Sequence, residues 1–300
     1  LPPIPCLPSL PQPLAVACHD AGAANVILPW LDDPSLQLRA VMRGPALRLW
    51  QQRFGERPLC DTPRQALQGA AFALTGTGWA SSLEHETRVL ARQRGVLSAA
   101  VLDHWVNYAM RFERDEVVCW PDAFWVTDDD AAALAVRTFP GATVRQFDNL
   151  YLAEQVRLVG PTPADGDVLV VMEPMRNDWG RATAGEWQAL EHFVQQRAAA
   201  GIAHDAPVRL RPHPSDAPGR YAAWLAAHPG VQLADSGPLA QALAGARWVV
   251  GCESYALVVA LAAGREVWSS LPPWAPACRL PQAGLRHLRS LGRSSLQAAR

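Results

Sequence analysis

Apolar residues fall in short runs, each followed by a turn and then a stretch with helical spacing. The first run, Leu14 to Cys18, leads through HDAGAAN into an apolar helix ending near Leu31. Leu36–Met42 follows, then PALRLWQQRF. Ala71–Thr75 comes next, with GTGWASS as its loop and SLEHETRVLARQRG as its helix. Gly95 stands where a left-handed C-terminal residue would close that helix. Leu97–Leu102, Phe124–Thr127 with the helix DDAAALAVRTF, and Val144–Phe147 continue the alternation. The stretch GPTPADGD, 160–167, is rich in turn formers and reads as a linker. Beyond it come the strands Val168–Met172, Val208–Arg211, Val231–Leu233, Trp248–Val250 and Val267–Ser269, and an amphipathic helix over Ala184–Ala200. Strands alternating with helices predict parallel sheets covered on both faces. The expected fold is therefore α/β, two Rossmann-like domains (14–159 and 168–300) with parallel sheets facing a cleft. In such sheets ligands sit beyond the C-terminal ends of the strands, so the residues after each strand are the candidates.

Composition narrows the classes. The chain has 300 residues, 49% hydrophobic and 18% charged, with a formal net charge of -1. That supports real cores and argues against a nucleic-acid partner, which calls for a basic excess. Every basic residue apart from histidine is arginine; with the abundant Ala and Pro this reflects GC-rich coding, and it excludes lysine Schiff-base chemistry and a P-loop lysine. Cys6, Cys18, Cys60, Cys119, Cys252 and Cys278 are scattered without a CxxC pair. A zinc site or disulfide framework is not expected, and a reducing, cytoplasmic setting is. No apolar run approaches the ~18 residues of a membrane span. Residues 1–13, LPPIPCLPSLPQP, read as a proline-rich tail rather than a signal peptide.

The sharpest candidates lie in the second half. VRLRPHPSD puts His213 and Pro214 directly after a strand, and WVVGCESYALVVALAAG puts Glu253 and Ser254 at the start of an apolar helix. A serine there is either a simple N-cap or a phosphate ligand at the positive end of the helix dipole. A third strand end, EPMRND, adds Glu173 and Arg176. GCESYA is not the GxSxG nucleophile elbow, which disfavours a hydrolase triad on Ser254.

On these motifs the run from Val208 to Ser270 resembles the nucleotide-binding half of GT-B glycosyltransferases. It is similar in particular to the bacterial sialyltransferase, polysialyltransferase and Kdo-transferase group, with its HP motif and its serine motif. The usual paired serines stand here as Glu253-Ser254. The resemblance implies a CMP-linked sugar donor whose phosphate meets His213, Pro214, Glu253 and Ser254, with Glu173 and Arg176 beside them, and no cofactor or metal. It implies an inverting transfer to a glycan or glycolipid acceptor in surface polysaccharide synthesis, which leaves room for peripheral membrane association.

The first half would then supply the acceptor site and a base. Asp20 matches where that group carries its acidic base; its other reading is the N-cap of the following helix, and His19 is the second candidate base. Gly76 and Gly78 would let a ligand approach the backbone; Ser81, Ser82 and Glu84 read as helix capping. Asp103, His104, Trp105, Asn107, Tyr108 and Arg111 form a polar and aromatic cluster suited to a sugar acceptor. Asp128–Asp130 open an Ala-rich helix and read as complements to its dipole, not as metal ligands. Rival readings are a CDP-polyol phosphate transferase, a nucleotide-sugar 2-epimerase and a non-catalytic nucleotide- or sugar-binding module.

Overall fold

The computed structural model describes residues 7–291. The first six residues of the proline-rich stretch, Cys6 among them, lie outside the described residues, as do residues 292–300.

The chain divides into two compact units, residues 1–151 and 152–300. Unit 1 runs β1 (Leu14–Cys18), α1 (Ala21–Trp30), β2 (Leu38–Met42), α2 (Gly44–Phe54), α3 (Pro63–Ala66), β3 (Phe72–Thr75), α4 (Leu83–Gln93), β4 (Leu97–Val101), β5 (Glu113–Arg114), β6 (Val117–Val118), β7 (Ala123–Val126), α5 (Asp129–Thr138) and β8 (Thr143–Gln146). Helix α6 (Leu150–Val159) crosses the division. Unit 2 continues with β9 (Asp167–Val171), α7 (Gly185–Gln196), β10 (Val208–Arg211), α8 (Ala222–Ala227), β11 (Val231–Leu233), α9 (Leu239–Ala244), β12 (Ala246–Gly251), α10 (Tyr255–Ala262), β13 (Glu266–Ser269) and β14 (Arg286–His287).

Each unit holds a six-stranded parallel sheet, ordered β2-β1-β3-β4-β7-β8 in unit 1 and β11-β10-β9-β12-β13-β14 in unit 2. The fold is thus α/β with two Rossmann-like units. Sheets covered on both faces need strands apolar on both sides. In β1, Leu14, Val16 and Cys18 pack with Val26, Ile27 and Trp30 of α1, while Ala15 and Ala17 meet Leu67, Leu83 and Ala91 on the other face. In unit 2, Val168, Val170, Leu210 and Val250 pack with Leu190 and Phe193 of α7.

Both strand orders reverse direction once, between β1 and β3 and between β9 and β12. At such a point the two following loops part company and leave an opening at the C-terminal edge of the sheet. That edge carries His19, Asp20 and Thr77 in unit 1, and Glu173 and Ser254 in unit 2.

The structure departs from the sequence expectations in a few places. The division falls within α6, and the segment 160–167 folds onto unit 2. Thr162 Oγ1 donates to the Gly264 carbonyl, and Asp167 opens β9. Within the proline-rich stretch, Leu7 is buried in the unit 1 core and Leu10 packs against it. The hairpin of β5 and β6 and the edge strand β14 have no apolar run long enough to announce them. The apolar helix α10 is buried at Leu257–Ala260, while Ala262 in its last turn is exposed. Gly95 adopts the left-handed conformation expected where α4 ends, with φ +67°, and Gly264, just past α10, does the same at +79°.

Asp128 caps α5: its Oδ1 accepts the Ala131 N–H at 2.7 Å and the Trp105 indole N–H at 3.0 Å. Asp128→Ala should cost about 1–2 kcal/mol, because it strands both donors. Asp130→Ala, at an exposed first-turn position, should cost a few tenths of a kcal/mol. Urea unfolding of the two variants checks the difference.

Candidate functional site

In unit 2 three neighbouring strands, β10, β9 and β12, end together. They present His213, Glu173 and the Cys252–Ser254 turn along about 10 Å of sheet edge, two strand spacings. The turn is fixed from below by Glu173. One carboxylate oxygen, Oε1, accepts the backbone N–H groups of Cys252 at 3.0 Å, Glu253 at 2.7 Å and Ser254 at 2.7 Å. Burial penalises the charge more than those bonds favour it, so the Glu173 carboxyl is pushed up to about 7. Glu173 Oε1 already occupies these amides, so a ligand phosphate would have to look to other donors.

Ser254 supplies one. It stands at the N-cap position of α10 with extended backbone but makes no capping bond, and its Oγ is buried without a hydrogen-bond partner. An idle buried hydroxyl is costly, and it lies at the positive end of the helix dipole. His213 is held by its own loop: its N–H donates to Asp216 Oδ2 at 3.0 Å and its Nδ1 pairs with Ser215 Oγ at 2.7 Å. Burial lowers its pKa, favouring the neutral ring. Pro214 beside it is exposed.

Two expected phosphate contacts are committed elsewhere. Arg176 pairs with Glu186 and with Asp216 Oδ1 at 2.9 Å, and Arg220 joins the same carboxylates. Glu253 pairs with Arg279 and also accepts the Arg279 N–H at 3.1 Å. In both cases a partner far along the chain, invisible to local reading, satisfies the charge.

In unit 1 the ends of β1, β3 and β4 gather the other candidates. His19 Nδ1 lies 2.6 Å from Asp20 Oδ1. Asp20 occupies the N-cap position of α1, yet its side chain makes no capping bond. Gly78 is needed for Asp20 itself: a Cβ there would stand 2.2 Å from Asp20 Oδ2. A Cβ on Gly76 would meet Ala23 and Cys18 at 2.8 and 3.1 Å. The space that bare backbone was expected to offer a ligand is thus filled by the protein's own side chains.

The expected acceptor cluster does assemble in part. Arg111, buried, donates to Asp103 Oδ1 at 2.7 Å, Thr77 Oγ1 at 3.0 Å and the Val106 carbonyl at 3.0 Å. Asn107 takes a left-handed φ of 57° in the same turn, beside a half-buried His104. Tyr108 stacks against Phe139 and its buried hydroxyl has no hydrogen-bond partner. Trp105 serves the fold through its bond to Asp128.

Four residues of this site were not picked out as ligand contacts in the sequence. Glu84, read as capping, is buried, with Oε1 accepting the His19 N–H at 2.7 Å and its carboxyl raised by burial. Arg88 is buried and donates to Thr75, Gly76, Arg111 and Cys119. The signal was available: Glu84 and Arg88 lie on the α4 stripe that buries Leu83 and Ala91. Thr77 is buried beneath Arg111, and Trp79 is 42% exposed with the Arg111 guanidinium 5.9 Å from its ring centre. Among the described residues no group of three His, Cys, Asp or Glu side chains could hold a metal ion, and no helix is long and apolar enough to cross a membrane.

No family model and no curated protein matches the chain. Solved structures share its fold. A UDP-GlcNAc 2-epimerase from Neisseria meningitidis bound to UDP-GlcNAc is 9% identical, with a TM-score of 0.61 over 96% of this chain and 91% of its own. The Methanocaldococcus jannaschii UDP-GlcNAc 2-epimerase, in complex with UDP-GlcNAc and UDP, is 7% identical, at 0.61 over 95% and 92%. MnaA of S. aureus, bound to UDP, is 11% identical, at 0.61 over 95% and 87%. The chain therefore has the GT-B-like fold of two Rossmann-like units.

Glu173 makes stability depend on pH. Its folded pKa, about 7, is above its ordinary value, so the folded state binds more protons and stability falls as pH rises from about 4.5 to 7. Each tenfold gain in proton affinity on folding is worth about 1.4 kcal/mol. Glu173→Gln keeps an oxygen for the three amides and has no charge to bury. Relative to wild type it should gain up to about 3 kcal/mol between pH 4.5 and 8, read from denaturant midpoints at each pH.

Proposed function

We propose that this chain is an enzyme of nucleotide-activated sugars, a metal-independent inverting glycosyltransferase. The observation that carries the reading is the Ser254 hydroxyl, buried and unpartnered at the N-cap of α10, just past the strand at which the sheet order reverses. Unit 2 would hold the nucleotide phosphate through Ser254 and His213, side chains standing in for the amides that Glu173 occupies. These donors would stabilise the charge that develops on the departing phosphate. The likeness of His213-Pro214 and Ser254 to the HP and serine motifs favours a CMP-linked donor of the sialic-acid or Kdo kind. In unit 1 the His19–Asp20 pair would take the proton of an acceptor hydroxyl, and Asp103, Asn107, Arg111 and Tyr108 would contact a glycan acceptor.

A second reading has its own support. The epimerases with which the chain shares its fold over 95–96% of its length are bound to UDP-GlcNAc or UDP, which favours a nucleotide-sugar 2-epimerase. Such an enzyme converts UDP-GlcNAc to its C2 epimer with no acceptor present; a transferase does not.

A thermal-shift panel of CMP, CDP, UDP, GDP and their sugars tests both, since ligand at a hundred times Kd adds roughly 2.7 kcal/mol. Stabilisation by none of them would end the nucleotide reading. Ser254→Ala should weaken the nucleotide that binds about tenfold, the loss of one hydrogen bond to a charged group, measured by calorimetry. Stability should hold within about 0.5 kcal/mol, because no capping bond is lost. His213→Ala should lower turnover by about 10²–10³.

A further inference from the structure

The notion of Asp20 as the base meets a geometric obstacle. Its Oδ1 is taken by His19 Nδ1 at 2.6 Å, and its Oδ2 lies against the backbone of Gly78, 2.2 Å from where a Cβ would stand. One carboxylate oxygen is thus committed to the imidazole, and the other fills the space beside Gly78 that a side chain there would take. The imidazole is placed differently. A carboxylate accepts, so Nδ1 donates, and in a neutral ring the lone pair is then left on Nε2.

The rest of the corner holds this ring in place. The His19 N–H donates to Glu84 Oε1 at 2.7 Å, and its carbonyl accepts the Ala46 N–H at 2.9 Å. A Cβ on Gly44 would stand 2.5 Å from Nε2, 2.7 Å from Cε1 and 3.0 Å from Cδ2. Such similar distances place that point over the ring's face and not beyond its edge, so glycine at 44 provides a flat seat for the imidazole. Glycines on both sides, Gly44 under the ring and Gly78 under the carboxylate, make room for the pair. His19 and Asp20 keep 19% and 27% of their side-chain surface exposed.

We propose that His19 Nε2 is the proton-accepting atom of unit 1 and that Asp20 is its positioning residue. This rests on the glycosyl-transfer reading. As the acceptor oxygen bonds to the anomeric carbon, its proton passes to Nε2. The carbon–oxygen bond to the donor phosphate breaks, and its electron pair leaves on the phosphate. The imidazolium, stabilised by Asp20, then releases the proton to water. The arrangement follows the division of roles in a Ser-His-Asp triad, in which the carboxylate fixes the tautomer and does not take the proton.

The test has a spectroscopic and a kinetic arm, both on the full chain. Nitrogen-15 NMR of histidine-labelled protein at pH 8, with His19 assigned by its loss in His19→Gln, should show the proton on Nδ1 and a bare Nε2. Asp20→Ala should move part of the population to the Nε2–H form. A proton on Nε2 in the wild type overturns the assignment whatever the donors do. For turnover, UDP-N-acetylglucosamine and CMP-N-acetylneuraminic acid are the probes. His19→Gln and Asp20→Asn should each lose about 10²–10⁴ in kcat, and the double variant should be no worse than His19→Gln alone. His19→Gln within threefold of wild type would return the role to Asp20 and refute the proposal. If the wild type turns over neither donor and no nucleotide of the thermal-shift panel binds, the nucleotide-sugar reading fails, and the NMR result still decides where the proton sits.

Discussion

A glutamate carboxylate that accepts backbone N–H groups sits where each sheet reverses its strand order, and the candidate sites are built around it. Reversal parts two loops and leaves backbone N–H groups at the strand ends without sheet partners. In unit 2, Glu173 takes three of them with one oxygen; in unit 1, Glu84 takes the His19 N–H. Both carboxyls are raised by burial, so the cost of burying charge is set against the worse cost of leaving amides unpaired. The side chains at these corners, Ser254 in one unit and His19 with Asp20 in the other, take their positions from the turns so fixed.

Arginine does the corresponding work for carbonyl groups. Arg88 ties the end of β3 to the Arg111 and Cys119 carbonyls, and its pKa is drawn down to about 10 by burial, which still leaves it charged at neutral pH. Arg265 does the same around the 159–161 segment, donating to the carbonyls of Gly160, Pro161, Ala244 and Ala246. A guanidinium offers five donors in a fixed plane, which an ammonium does not. In a chain without lysine, these buried arginines serve as cross-links between segments distant in sequence.

Charge pairing also explains why Arg176 and Glu253 are poor phosphate contacts. Each is held by an opposite charge, Arg176 by Glu186 and Asp216, and Glu253 by Arg279. Drawing Arg176 away would leave the buried Glu186 to Arg220 alone, and freeing Glu253 would leave Arg279 without its partner. His213 and Ser254 have lighter ties and remain the better candidates.

The sequence by itself determined the elements and the layout. Runs apolar on both sides, such as Leu14–Cys18 and Val168–Val171, each followed by a turn and a helical stretch, fit strands of a doubly covered parallel sheet, and left-handed glycines such as Gly95 mark helix ends through local sterics. Period and turn chemistry are local properties, so β1, β3, β9 and β12 were legible within a residue or two. So was the rule that placed His19, Asp20, His213 and Ser254 at strand ends. What tertiary structure decided was partnership. That Glu173 occupies the amides before α10, that Arg279 claims Glu253 and that Gly78 gives its Cβ space to Asp20 all depend on residues at least 26 positions apart, brought together by the sheet. Hydrogen bonds and charge neutralisation act through space, and a residue type on a strand end does not disclose which distant group will satisfy it.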